Sequence, residues 1–356
     1  MSVRTPTISS VRIIGAGLIG TSIALALRQH GVRIEILDKE VKAQELACDL
    51  VQSETLKDPA VIVIATPVST IFELIKEQYH RNPHSIIMDI GSTKTNLQRN
   101  VETLSELSRN FVGTHPMAGR EVSGPTGARS DLFEGRAWPI IKSVYTSQRA
   151  FETAREVIEL CGATAYEMTA EEHDETVAAI SHVPQLVSTL LASELSQLSD
   201  EKLNLAGQGL RDVTRLAGSD PTMWVDILRS NQKFVTHVLQ SLQRQMEEVL
   251  TLLDSDNSEA LRKKFVQGNQ QQKRISGKHG ARARNYSFVN VVVGDKPGQL
   301  GALFIECAKI GVNVEDVTLE HSPGQETGLI TLALSQDDAQ LLHQHLVNKN
   351  WQAHRA

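Results

Sequence analysis

Cysteine is nearly absent from this chain. Cys48, Cys161 and Cys307 are scattered and odd in number, which excludes a disulfide framework and a cysteine-ligated zinc site. Aromatic residues make up only 4%, too few for a platform on which single-stranded nucleic acid stacks. Long apolar runs are missing too. The longest unbroken one, residues 60–65, falls far short of the about 20 residues that span a bilayer. Residues 1–10 carry no apolar stretch of the kind a secretory signal needs. The expectation is a reduced, cytoplasmic protein with no membrane partner, no nucleic-acid partner and no bound metal. What is present is ordinary: 40% hydrophobic and 22% charged residues, which excludes disorder and fibrous repeats. At 356 residues the chain is long enough for about two domains or slightly more.

The net charge of −6 hides an asymmetry. Residues 261–284 hold eight Lys or Arg and no Asp or Glu, leaving 28 basic against 42 acidic residues elsewhere. The second half of that window is rich in Gly, Gln and Lys and lacks an apolar period. Residues 257–284 therefore read as a basic, solvated, flexible linker between folded units.

The amino-terminal segment runs Val11-Arg12-Ile13-Ile14, then Gly15-Ala16-Gly17-Leu18-Ile19-Gly20, then an apolar helical stretch to about His30, then a β-branched run ending at Asp38. Strand, glycine turn, helix, strand and acid follow in the spacing of a dinucleotide fold. Gly15 permits the tight turn, Gly17 lets the backbone approach a pyrophosphate, and Gly20 permits close helix packing. Leu18 and Ile19 open the helix, whose free N–H groups and positive dipole end face the phosphates. Asp38 stands where a carboxylate accepts hydrogen bonds from the adenosine ribose, and its charge would repel a 2′-phosphate. NAD is the expected cofactor.

Alternating strands and helices continue. Val61 to Ala65 ends in Thr66-Pro67, Ser85 to Ile90 closes on Gly91-Ser92-Thr93-Lys94, and Phe111 to Thr114 leads into His115-Pro116-Met117-Ala118-Gly119. Ligands bind beyond the carboxyl ends of parallel strands, so Thr66, Ser92 and His115 fall on the rim where nicotinamide and substrate would meet. After about Met168 long amphipathic helices take over. They include His173-Asp174-Glu175, Ser181-His182-Val183-Pro184, and a stretch from Arg211-Asp212-Val213-Thr214-Arg215 to Trp224. Beyond the linker a βαββαβ order returns, that of a ferredoxin-like unit.

These motifs carry a family resemblance. The glycine turn, Ala65-Thr66-Pro67, Asp89-Ile90-Gly91-Ser92-Thr93-Lys94, and His115-Pro116-Met117-Ala118-Gly119 with Glu121 resemble prephenate dehydrogenases, a family that includes arogenate and cyclohexadienyl dehydrogenases. So do Ser181-His182-Val183-Pro184-Gln185 and Asp212-Val213-Thr214-Arg215 with Trp224. The match covers roughly residues 10–255. The tail resembles an ACT domain, through Asp295-Lys296-Pro297-Gly298-Gln299-Leu300 and Gly311-Val312-Asn313-Val314.

The resemblance implies an α/β fold in four parts: a Rossmann-type doubly wound sheet (1–168), an all-α dimerisation domain (169–256), the basic linker (257–284) and a ferredoxin-like ACT domain (285–356). It implies NAD-dependent oxidative decarboxylation of prephenate to 4-hydroxyphenylpyruvate by a homodimer. His115 would take the hydroxyl proton, and Ser92 would orient His115 or the nicotinamide. Arg215 would clamp the ring carboxylate, with His182 and Glu121 near the substrate side chain. His182 suits a keto acid better than an ammonium group, which favours prephenate over arogenate. Gly298 and Asn313, on loops expected at one end of the small sheet, would bind L-tyrosine as a feedback effector. Two alternatives stay open: an arogenate or cyclohexadienyl dehydrogenase, and a non-catalytic protein that senses nucleotide and amino acid.

Overall fold

A computed structural model describes residues 6–119, 124–255, 257–275, 286–294, 296–320 and 327–355. The chain divides into two units, Met1–Lys264 and Phe265–Ala356.

The first unit is built on five parallel strands: β1 (Ser10–Ile14), β2 (Arg33–Leu37), β3 (Val61–Ile64), β4 (Ile86–Asp89) and β5 (Phe111–Gly113). Val-Ile-Val-Ile in β3 and Ile-Ile-Met-Asp in β4 are buried at every position, as strands covered on both faces require. The order is β2-β1-β3-β4-β5. The chain leaves β1 towards β2 and returns on the other side to β3, so a crevice opens between the carboxyl ends of β1 and β3. A parallel pair, β6 (Ala137–Ile141) and β7 (Thr164–Met168), joins β5 through an antiparallel bridge from Thr114 to Ile140. The backbone N–H of His115 donates to Pro139 O at 3.0 Å and that of Met117 to Ala137 O at 2.9 Å. These bonds hold the segment after β5 against the rim.

The helical part begins at Thr169, which caps the helix Ala170–Val177 in a reciprocal box with Glu172. That helix passes through one π turn, Ala178–His182, directly into Val183–Glu194. Pro184, which has no N–H to give, sits just past the turn. An 18-residue window within the helical run Ala170–Gln197 has a mean hydropathy of 1.2, so the run is long and apolar enough to cross a membrane by length and composition. Unbroken apolar runs did not reveal this. Yet it contains buried His173, Asp174 and His182, and its exposed apolar side chains include Ile180, Leu190 and Leu191.

The expectation of a flexible segment over 257–284 is corrected for its first half. Ser258–Gln272 is a helix. Glu, Ala, Leu, Lys, Arg and Gln are good helix formers, Arg262 pairs with Glu259 at 3.0 Å, and Lys264 pairs with Glu248 of the preceding helix Gln232–Asp254. Residues 276–285 lie outside the described residues.

The second unit is a four-stranded antiparallel sheet, ordered β11-β8-β10-β9, formed by β8 (Ser287–Gly294), β9 (Asp316–Glu320), β10 (Thr327–Leu334) and β11 (Gln352–Arg355). Val289, Val291, Ile330 and Leu332 bury with Leu303 of helix Gln299–Lys309 and Leu342 and Leu346 of helix Gln336–Asn348. The register corrects a second expectation. β10 sets Thr327 beside Gly294, Leu334 beside Ser287 and Ala333 beside Asp316. Gly298, just past the end of β8, and Asn313, just before β9, therefore lie at opposite ends of the sheet. A crossover helix returns the chain to the start of the next parallel-running strand, so loops before and after it cannot share an end. Asp295 is outside the described residues.

Candidate active site

The nucleotide turn has little freedom. Gly15 has φ 115°, and a Cβ there would lie 2.2 Å from Ala65 O. A Cβ on Gly20 would lie 2.1 Å from Gly15 O, whereas nothing lies within 4 Å of one on Gly17. β1 and β3 thus press on the first and third glycines, and the second faces open space, as a phosphate cradle needs. Helix Leu18–Gln29 starts at Gly17 without a side-chain cap, leaving its first N–H groups for an anion. Asp38 follows β2 with its carboxylate set by Ala16 N at 2.6 Å and Glu40 N at 2.8 Å, while its own N–H donates to Gln44 Oε1 at 2.7 Å. Thr66 follows β3 and accepts a hydrogen bond from the Thr70 hydroxyl at 2.9 Å. The expected cofactor residues Gly15, Gly17, Leu18, Ile19, Gly20, Asp38 and Thr66 are therefore gathered where β1, β2 and β3 end, and the open Gly17 with its uncapped helix start fits a phosphate.

Along the same rim His115 is half-buried. Its Nδ1 lies 2.9 Å from His173 Nε2, and His173 Nδ1 lies 2.8 Å from Asp174 Oδ1. His173 and Asp174 are buried. The two Asp174 carboxylate oxygens also accept the Lys94 and Thr95 backbone N–H groups, each at 2.8 Å. Burial pushes the Asp174 carboxyl up, but the hydrogen bonds from His173 and Thr95 prevail and hold it below the ordinary value. Asp174 is thus an ionised acceptor, and this fixes every proton in the chain. His173 carries its proton on Nδ1, so its Nε2 accepts. His115 must then donate from Nδ1, which leaves its Nε2 as a bare lone pair. Burial, then the neighbouring His173, Lys94 and His182, hold His115 well below the ordinary imidazole value. His173 is lowered too, chiefly by burial, although Asp174 works against this.

Beneath the rim lies a buried ion pair, Lys94 Nζ with Asp89 Oδ2. Asp89 closes β4, and its Oδ2 also accepts Gly91 N at 2.8 Å. Ser92 sits between these groups on the turn. His115 Nδ1 already has His173 as partner, so the orienting role expected of Ser92 towards that nitrogen passes to His173. At the start of helix Thr95–Glu102 the Lys94 and Thr95 N–H groups are taken by Asp174, so Ser92 does not cap it.

His182 is buried at the end of the π turn. Burial takes its pKa down to about 4. Trp224 packs edge-on against it, with ring centroids 6.0 Å apart. Arg215 is exposed at the start of the one-turn helix Arg215–Gly218, and Leu216 O accepts Gln185 Nε2 at 2.8 Å. This ties the Arg215 turn to the helix that follows His182. Glu121 lies outside the described residues.

Sequence reasoning set His173-Asp174 apart as unusual but gave it no role, and it missed Lys94 as a buried charge and Asn231 altogether. A His-Asp pair at a helix start was the only available signal for the first.

Comparisons with known proteins agree with this architecture. Residues 23–167 match the prephenate dehydrogenase nucleotide-binding domain and residues 169–267 the dimerisation domain of the same family. A probable prephenate dehydrogenase of Streptomyces niveus is 31% identical over 96% of this chain and 98% of its own. The prephenate dehydrogenase of Bacillus subtilis is 26% identical over 92% and 93%. Among solved structures, the prephenate dehydrogenase of Aquifex aeolicus with hydroxyphenyl propionate and NAD+ superposes with a TM-score of 0.71 at 26% identity, covering 77% of this chain and all of that one. A Synechocystis arogenate dehydrogenase gives 0.64 at 28%, covering 74% and 98%. With a glycine crevice, a histidine rim and a relative of this identity along nearly its whole length, the chain belongs to the prephenate dehydrogenase family.

Proposed function

We propose that the chain is an NAD-dependent prephenate dehydrogenase, and that His115 is its catalytic base. The observation that carries this is the His115–His173–Asp174 hydrogen-bond chain, whose ionised end calls for a lone pair on His115 Nε2 at the strand ends. NAD+ supplies the hydride acceptor when bound in the glycine crevice. The substrate is a cyclohexadienol with a ring carboxylate para to its hydroxyl. His115 Nε2 accepts the hydroxyl proton as hydride leaves the carbinol carbon and the carboxylate departs as CO₂. Aromatisation drives the reaction. The imidazolium formed at His115 is stabilised through Nδ1–H to His173 and on to the Asp174 carboxylate. Ser92, at the end of β4, orients the nicotinamide. Arg215 offers a guanidinium fork for the ring carboxylate. His182 meets the substrate side chain.

Prephenate is favoured over arogenate because His182 is held neutral, and a neutral donor suits a keto group better than an ammonium group. The test follows the absorbance of reduced nicotinamide with NAD+ and each substrate in turn. Turnover of prephenate at a kcat/KM well above that of arogenate supports the assignment; the reverse preference moves it to arogenate, and turnover of neither removes it. NAD+ should also exceed NADP+ in kcat/KM, because Asp38 meets the ribose hydroxyls with a carboxylate. Equal values would remove Asp38 from cofactor recognition.

Two copies are expected to pair through the helical part, where Ile180, Leu190 and Leu191 stand exposed on a helix otherwise committed to the site. The carboxyl-terminal unit reads as a ferredoxin-like ACT module that takes L-tyrosine as feedback effector. Its βαββαβ order and antiparallel sheet support this. Because Gly298 and Asn313 are at opposite ends of the sheet, one effector reaches both only between two modules arranged head to tail. Ending the chain after Gln272 should leave an active enzyme that tyrosine no longer inhibits. An unchanged inhibition constant in the shortened chain would put tyrosine at the active site instead.

A further inference from the structure

Asn231 joins helix Pro221–Ser230 to helix Gln232–Asp254 and is 2% exposed. Its Nδ2 lies 2.8 Å from the backbone oxygen of Asp174 and 3.0 Å from His182 Nδ1. An amide nitrogen has two protons and the amide oxygen has none. The Asp174 carbonyl can only accept, so turning the amide over would set two acceptors against each other inside the protein. The orientation of Asn231 is therefore fixed by Asp174, and one proton remains for His182. His182 Nδ1 receives it with a lone pair. A neutral imidazole with a bare Nδ1 keeps its proton on Nε2.

We infer that Asn231 is a positioning residue that fixes His182 as an Nε2–H donor, the tautomer opposite to that of His115. The two rim histidines then have different work: one takes a proton and the other only offers a hydrogen bond. Asp174 governs both, His115 through its carboxylate and His182 through its backbone carbonyl. A protonated His182 would turn an Nδ1–H against the Asn231 amide protons, so the arrangement holds the ring neutral as well as oriented. What His182 then donates to rests on the substrate contact proposed above.

Histidine nitrogen NMR of the full-length protein, labelled at histidine and saturated with NAD+, reads the tautomer directly. The His182 signals are identified by their loss in His182→Gln. At neutral pH His182 should show an unprotonated Nδ1 and a protonated Nε2. In Asn231→Leu residue 231 has no proton to give Nδ1, so the unprotonated Nδ1 and protonated Nε2 should give way to a mixture of both tautomers. The same variant should raise the KM for prephenate about tenfold, the loss of one well-placed hydrogen bond, with kcat changed less than about threefold. A protonated Nδ1 in the unmodified protein overturns the inference, and that measurement stands even if the variant fails to fold. An unchanged tautomer in a folded Asn231→Leu variant overturns it equally. Tautomers that behave as stated while KM stays fixed would uphold Asn231 as the positioning residue and remove His182 from substrate contact.

Discussion

His115→Asn should lower kcat by about 10²- to 10⁴-fold, the range that a lost general base costs, while the KM for prephenate changes little. Asparagine can keep the hydrogen bond to His173 with its amide nitrogen, so the buried chain behind it survives. What disappears is the basic lone pair at the rim. The pH dependence gives an independent check. His115 must be neutral to act, and burial with neighbouring charge lowers its pKa well below the ordinary value. The acid limb of kcat/KM should therefore fall at a pH below the usual histidine range, with activity flat through neutrality. The same sign applies to stability. A histidine whose folded pKa is depressed contributes stability above its unfolded pKa and loses that contribution as pH falls through the folded value. A His115→Asn enzyme with full activity would place the base elsewhere.

Lys94→Ala should destabilise the fold by about 3–5 kcal/mol, the cost of stripping one partner from a buried ion pair. Both side chains of the pair are inaccessible, so solvent cannot screen the carboxylate left behind. Asp89 also has an oxygen, Oδ1, without a protein partner among the described residues. Burial already pushes the Asp89 carboxyl up, against the pull of Lys94. Without Lys94 it rises further, and the variant folds best with Asp89 protonated. A raised folded pKa means stability that is complete below the unfolded pKa and is lost as pH rises through the folded value. Thermal unfolding across acid to neutral pH should show the smallest deficit at the acid end. A deficit independent of pH would mean that packing, and not charge, is what Lys94 supplies.

The nucleotide half was legible because its signals are local. A β-branched run, three glycines and an acid at fixed spacing specify neighbouring backbone, and neighbouring backbone is what a sequence displays. Rim positions such as His115 followed from the rule that parallel strands present their carboxyl ends. The relay did not follow, because 58 residues separate His115 from His173. The bridge after β5, the capped start at Thr169 and the bonds from Lys94 and Thr95 to Asp174 bring them together. Lys94 looked like a turn residue because a charge reads as exposed until its partner is known. Residues 258–272 misled for a related reason: a one-signed charge run without an apolar stripe looks unstructured, yet intrinsic propensity and pairs with neighbouring acids suffice for a helix. The tail was read correctly as alternating strands and helices, and wrongly in space, because order along the chain does not state which end of a sheet a loop occupies.

The π turn at Ala178–His182 divides one continuous helix into two angular frames. Each residue of a regular helix advances about 100°, so one extra residue in the turn offsets everything after it by that much. His173 and Asp174 belong to the first frame, and Val183 onward to the second. Removing a single residue between Ala178 and Ile180 would restore a regular helix of the same composition. It would also swing His182 about a quarter-turn away from Asn231, and move Pro184 into a position where its ring meets an intact ladder. The site is thus vulnerable to a deletion that changes no functional side chain at all. An insertion at that point is equally able to have created it, by giving an ordinary amphipathic helix a second direction in which to face.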